Sequence, residues 1–160
     1  MGTPHKFIRV IMFTGSLLCA GSFALGQPGF MAGVDLTIEH VAGKVYMVQR
    51  PGGGGNIGAF AGPDGVLLVD SLFAPLSDKL VAAVKEVTDS EIRFLINTHI
   101  HGDHVGGNEN LAEMGVLIFA HDNTRLRFLE EKSHFPRGGG SFAPQQPAGA
   151  RPVVTYNDEI

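Results

Sequence analysis

From Leu36 onward, short apolar stretches alternate with turn residues, first at strand spacing alone and then with helical patterns between the strands. Leu36-Thr37-Ile38-Glu39-His40 and Lys44-Val45-Tyr46-Met47-Val48-Gln49-Arg50 flank Ala42-Gly43, which predicts a hairpin. Gly52 to Gly55 predict a mobile tip. A third strand is expected from Asn56 to Ala61, closed by Pro63-Asp64-Gly65, where proline presets φ and glycine accepts a positive φ. Val66-Leu67-Leu68-Val69 is a continuous apolar run ending in Asp70, the pattern of a strand buried on both faces.

Helical spacing begins next. Leu76, Leu80, Val84 and Val87 predict a helix over residues 75–87, with Asp78, Lys79, Lys85 and Glu86 largely on its other side. A strand follows at Ile92 to Asn97, then a short helix from Asn108 to Met114 with Asn108 as its N-cap. Val116 to Ala120 predict another strand and residues 122–132 an amphipathic helix. Pro136, the glycines at 138–140, Pro144, Pro147 and Pro152 mark a long loop, after which Val153 to Tyr156 begin a further strand. Strands alternating with helices behind a hairpin region place the fold in the α/β class, and 160 residues give room for one domain.

The start of the chain reads differently. His5, Lys6 and Arg9 precede a short apolar run, Val10 to Leu18, and Ala24-Leu25-Gly26 offers small residues at the positions a signal peptidase reads. Residues 1–26 are therefore expected to be a signal peptide and residues 27–160 the domain. A membrane-spanning helix fits less well, because Thr14, Gly15 and Ser16 interrupt a run already short for a bilayer. Cys19 is the only cysteine and lies inside the leader, so the mature domain would carry no disulfide. The expectation is export to a periplasm or the exterior, with no membrane association after cleavage. A formal net charge of −4, without a cluster of Lys and Arg, argues against a nucleic-acid partner and leaves a small-molecule substrate. Oligomeric state has no signature in the sequence.

The chemistry concentrates in His99-Ile100-His101-Gly102-Asp103-His104. His99 and His101 stand two apart after an expected strand, so in extended backbone both imidazoles project to one side. Gly102 then lets the chain turn and return Asp103 and His104. Imidazoles beside a carboxylate suit Zn²⁺, with Fe or Mn as competitors. The placement agrees, since α/β sheets bind ligands at the carboxyl ends of their strands. Imidazoles satisfied by local hydrogen bonds are the alternative, which suits a single histidine better than three. His121, beside a helix start, reads as a cap or packing residue.

Thr98-His99-Ile100-His101-Gly102-Asp103-His104-Val105-Gly106-Gly107-Asn108 resembles the signature of the metallo-β-lactamase superfamily, and Asp64 to Ser71 resemble its characteristic strand. The resemblance runs from about Lys44 to Leu129 and implies the N-terminal half of an αββα sandwich. It further implies that His99 and His101 bind one ion and Asp103 and His104 a second. Asp103 would also orient the nucleophile, and Asp70 would support the motif loop. The activity implied is that of a zinc-dependent hydrolase directing a metal-bound hydroxide at a lactam, lactone or (thio)ester bond. The family pattern also asks for a later His, a bridging Asp or Cys, and a final His. Beyond His104 only His121 and His134 remain, and neither has that setting. The chain is thus expected to be an incomplete form of the hydrolase, with a non-catalytic remnant that at most binds metal as the alternative, and with one apolar sheet face unpartnered.

Exported material is expected to begin at Gln27 on N-terminal sequencing. An intact Met1 would contradict the leader and favour a membrane anchor.

Overall fold

Short connections can only join antiparallel neighbours, whereas a parallel neighbour needs a crossover long enough to hold a helix. Both kinds occur here, in that order. The computed structural model describes residues 31, 33–130 and 146–158; the expected leader, residues 1–26, and His134 with its surrounding loop lie outside the described residues. Among the described residues, strands β1 (Thr37–Ala42), β2 (Val45–Gln49), β3 (Ile57–Gly62), β4 (Gly65–Val69), β5 (Ile92–Asn97), β6 (Leu117–His121) and β7 (Val154–Tyr156) form a single sheet, ordered as in the sequence. β1 to β4 are antiparallel, and β4, β5, β6 and β7 are mutually parallel. Gly43, at φ 55, turns the first hairpin, and Gly65, at φ 117, opens β4.

The helices are α1 (Ser77–Lys85), preceded by a 3₁₀ turn at Ala74–Leu76, then α2 (Gly102–Val105), α3 (Asn108–Glu113) and α4 (Asp122–Leu129). The 75–87 expectation thus divides into a 3₁₀ entry and a helix. Pro75 fits such an entry, where a missing N–H costs nothing. Leu76, Leu80 and Val84 are buried as their spacing requires, and they share one core with Ile57, Val66, Leu68, Leu95, Leu111 and Ile118. The core therefore lies between one face of the sheet and helices α1 and α3.

The opposite face differs from the expectation of a strand buried on both sides. Val66 and Leu68 are fully buried, but Val69 is 36% exposed. Val45, Phe60, Leu67, Phe94 and Leu117 stand opposite one another across successive strands, and of these Phe60 is 42% and Leu117 47% exposed. The cause is one-sided cover: among the described residues the core helices pack on one face only. Among the described residues, that second face carries none of the core helices.

Leu68→Ala should lower the unfolding free energy in urea by about 2–5 kcal/mol, as for a buried leucine truncated to alanine. Leu117→Ser should cost less than about 1 kcal/mol, as for an exposed site, and should reduce self-association. Equal losses at both positions would mean that the second face is covered.

Candidate metal centre

β5 delivers the chain to Thr98 at the carboxyl edge of the sheet. The backbone remains extended at His101, with φ −66 and ψ 145, before the single turn of α2. That extended stretch sets the His99 and His101 rings side by side, with centroids 4.6 Å apart. The helical turn then brings His104 back to within 4.0 Å of the His99 centroid, and Asp103 Oδ2 lies 3.6 Å from His104 Nε2. These contacts link His99 to His101 and to His104, and Asp103 to His104, while the group whose ligating atoms all lie within 4.8 Å of one another is Asp70, His99 and His104. Partial burial, then the neighbouring His104 and His101 rings, hold the His99 pKa below its ordinary 6.5; Asp70 and Asp103 oppose that shift without cancelling it. A neutral imidazole keeps the lone pair a metal needs.

Asp70 closes the cluster from β4. It is 3% exposed, and its carboxylate accepts hydrogen bonds from Thr98 N at 2.8 Å, Thr98 Oγ1 at 2.7 Å and His104 Nδ1 at 2.7 Å. These bonds assign tautomers. An Asp70 carboxylate can only accept, so His104 donates to it from Nδ1. Thr98 has one hydroxyl proton and gives it to Asp70, so at 2.9 Å from His99 Nδ1 the hydroxyl oxygen must accept. His99 is therefore also protonated on Nδ1, with Nε2 bare. Asp70, His99 and His104 each have a ligating atom within 4.8 Å of the others, which alone would permit Asp70 to be a ligand. Its oxygens already serve three donors, so it is better understood as the brace that aims His104, an arrangement common behind metal-binding imidazoles.

Two loops are held face to face to make this possible. Ser71 N donates to His104 O at 2.8 Å, Gly107 N to Leu72 O at 3.0 Å, and Asp70 N to Ile96 O at 2.9 Å. A Cβ on Gly107 would lie 2.4 Å from Ser71 O, and one on Gly106 would lie 2.9 Å from Leu72 O, so both positions exclude any side chain. The 70–73 segment passes through left-handed backbone at Asp70 (φ 68) and Leu72 (φ 57), conformations that residues with a Cβ seldom adopt.

Three expectations need revision or gain content here. Gly52 to Gly55 are more than a mobile tip: Gly55 is buried, and a Cβ there would meet His104 Cε1 at 2.9 Å and Asp103 O at 3.0 Å, so this residue walls the centre. Asn108 is not an N-cap; Gly107 takes that position, and the Asn108 side chain is fully buried and bonded to Asn97, Ser71 and the Ala150 carbonyl. Thr98 was visible beside the motif but had no role until its hydroxyl proved to link Asp70 to His99. His121 stands apart as expected: Nδ1 caps α4 by accepting from Asn123 N at 3.0 Å, and Nε2 meets Asn157 O at 2.8 Å.

The sequence model of a family described as the metallo-beta-lactamase superfamily matches residues 50–155. Among solved structures, a subclass B3 metallo-beta-lactamase isolated from a soil metagenome library aligns with a TM-score of 0.61 at 18% identity, over 78% of this chain and 47% of its own. A B3 enzyme described as having an active-site glutamic acid gives 0.62 at 22% identity over 78% and 47%. The metallo-beta-lactamase of Hirschia baltica is 28% identical, with a TM-score of 0.51 over 57% of this chain and 46% of its own. The chain therefore spans about half the length of the structures it matches. No curated protein matches it.

In the metal-free chain, an NMR titration should show the His99 ring protonating below 6.5. A depressed folded-state value means that the folded chain binds fewer protons than the unfolded one. The stability His99 contributes is then present above 6.5 and is lost as pH falls through the folded value. A midpoint at or above 6.5 would contradict the clustered geometry.

Proposed function

The chain belongs to the metallo-beta-lactamase superfamily, and from that premise we propose that it carries the first ligands of the metal centre of an exported, metal-dependent hydrolase. The observation that supports this most is the close packing of the His99 ring on the His101 and His104 rings, with Asp103 beside His104 and Asp70 bonded to His104 Nδ1. Imidazole nitrogens and a carboxylate form a donor set that fits a first-row divalent ion, zinc foremost, with iron and manganese also compatible. His99 and His101 would hold one ion, and Asp103 and His104 a second. A zinc ion there supplies Lewis acidity toward a carbonyl oxygen and lowers the pKa of its water to about 7.

The protein's own groups do the rest. Asp103, an acceptor beside the imidazoles, orients the attacking water by one of its protons. Asp70 keeps the His104 proton on Nδ1, so that its other nitrogen stays available. Gly55 lets the glycine-rich segment lie directly against His104 and the Asp103 carbonyl, where a Cβ would clash. Small carbonyl substrates follow as the class: lactams, lactones and (thio)esters. The solved neighbours, described as metallo-beta-lactamases, favour the lactam. The signal-like residues 1–26 support export, and among the described residues no helix is long and apolar enough to cross a membrane.

One observation favours a second reading, metal binding without turnover by these 160 residues. A catalytic zinc takes three protein ligands, and among the described residues His121 is committed to capping α4, so it adds nothing to His99 and His101.

Zinc uptake, chelator competition and hydrolysis of a chromogenic lactam, a lactone and a thioester separate these readings. Chelator-sensitive turnover that falls by about 10²–10⁴ in Asp103→Ala, the range for a lost proton-handling group, supports the hydrolase. Zinc binding that weakens in His101→Ala, without turnover, supports the second reading. Failure of the unsubstituted chain to take up zinc would overturn both.

A further inference from the structure

An amide side chain has two N–H donors and one oxygen with two lone pairs. At Asn108 all four are used, in a position with no solvent exposure. Nδ2 donates to Asn97 Oδ1 at 2.7 Å and to Ala150 O at 2.9 Å. Oδ1 accepts from Ser71 Oγ at 2.8 Å and Asn97 Nδ2 at 3.1 Å. The orientation is forced, because the Ala150 carbonyl can only accept and so must face Nδ2. Asn97 and Ser71 are themselves buried, and Ser71 Oγ also reaches His104 O at 3.1 Å.

These partners sit on the segments that carry the centre. Asn97 ends β5 two residues before His99, Ser71 follows Asp70, and Asn108 opens α3 four residues after His104. No solvent is available to repair a lost bond at such a depth, so the Asn97 amide would lose both of its bonds to Asn108 and the Ala150 carbonyl its bond from Nδ2, while Ser71 could fall back on His104 O. We propose that Asn108 is a positioning residue of the metal centre, its saturated amide fixing the separation of the Asp70, His99 and His104 segments and hence the affinity and geometry of the bound ion. This rests on the metal-centre reading given above. Only an amide serves: an aspartate would aim oxygen at both Asn97 Oδ1 and Ala150 O, and an alanine would remove all four bonds.

The test uses the full 160-residue chain and Co²⁺ as the probe, with affinity read by chelator competition and geometry by the visible absorption bands. Asn108→Ala should weaken Co²⁺ binding about 10- to 100-fold, the range for groups that orient metal ligands, and should alter the bands. Ser71→Ala, which leaves the Asn97–Asn108 pair intact, should move both readouts in the same direction by less; it decides the matter if Asn108→Ala does not fold. Leu111→Ala is the control, a buried apolar truncation on α3 outside the network, which should lower thermal stability and leave the bands unchanged. Affinity within twofold of the parent in Ser71→Ala and in a folded Asn108→Ala overturns the proposal, as does an equal spectral change in Leu111→Ala. If the unsubstituted chain binds no Co²⁺, the metal-centre reading fails, and imidazole ¹⁵N shifts of the metal-free chain decide. A changed His104 Nδ1 signal in Ser71→Ala then supports positioning by this network, and an unchanged one refutes it.

Discussion

A carboxylate removed from water must find hydrogen-bond donors or give up its charge, and the cost of failing is several kcal/mol. Asp70 meets that demand entirely from the motif loop, through the Thr98 amide, the Thr98 hydroxyl and the His104 ring. To reach all three, the chain leaving β4 takes left-handed backbone at Asp70 and again at Leu72. It then lies so close to the motif loop that Gly106 and Gly107 can carry no Cβ. Conformations of this kind cost of order 1–3 kcal/mol each and persist only where the surroundings over-determine them. Here the surroundings are the hydrogen bonds from Ser71 N to His104 O and from Gly107 N to Leu72 O.

The sheet makes that meeting possible. β4 and β5 run parallel with Val69 opposite Ile96, so both strands end at the same level and their next residues face each other. Asp70 N donating to Ile96 O carries the pairing one step past the last paired residues. A parallel pair whose carboxyl ends coincide leaves two loops side by side, one bearing the brace and the other the imidazoles. This is the physical content of the rule that such sheets bind ligands at their carboxyl edge.

Much of this was legible in the residue pattern, for identifiable reasons. Strand and helix positions followed from local periodicity, and the imidazole cluster followed from a spacing that extended backbone converts directly into direction. What escaped depends on contacts between segments far apart in the chain. Gly55 resembles its neighbours Gly52 to Gly54 in sequence, and only its approach to His104 distinguishes it. Asn108 precedes a helix as an N-cap would, but the start of α3 falls one residue earlier, which turns the amide inward to Asn97. The run Val66 to Val69 is apolar at every position, which cannot say how many layers cover it; Val69 at 36% exposure marks, among the described residues, the face that the core helices do not cover.

The centre is also chemically prepared before any ion arrives. An imidazole in water exchanges between two tautomers and a protonated form, and a metal must select one of these. In this chain Asp70 fixes the proton of His104, and Thr98, itself committed to Asp70, fixes that of His99. Partial burial, and then the neighbouring rings, disfavour protonation of His99 as well. One buried acid therefore specifies, through a single threonine hydroxyl, the electronic state of two rings at once. It follows that Thr98 matters through its hydroxyl proton and not its bulk. A valine there would preserve shape, yet it would leave the proton of the His99 ring free to move to the other nitrogen.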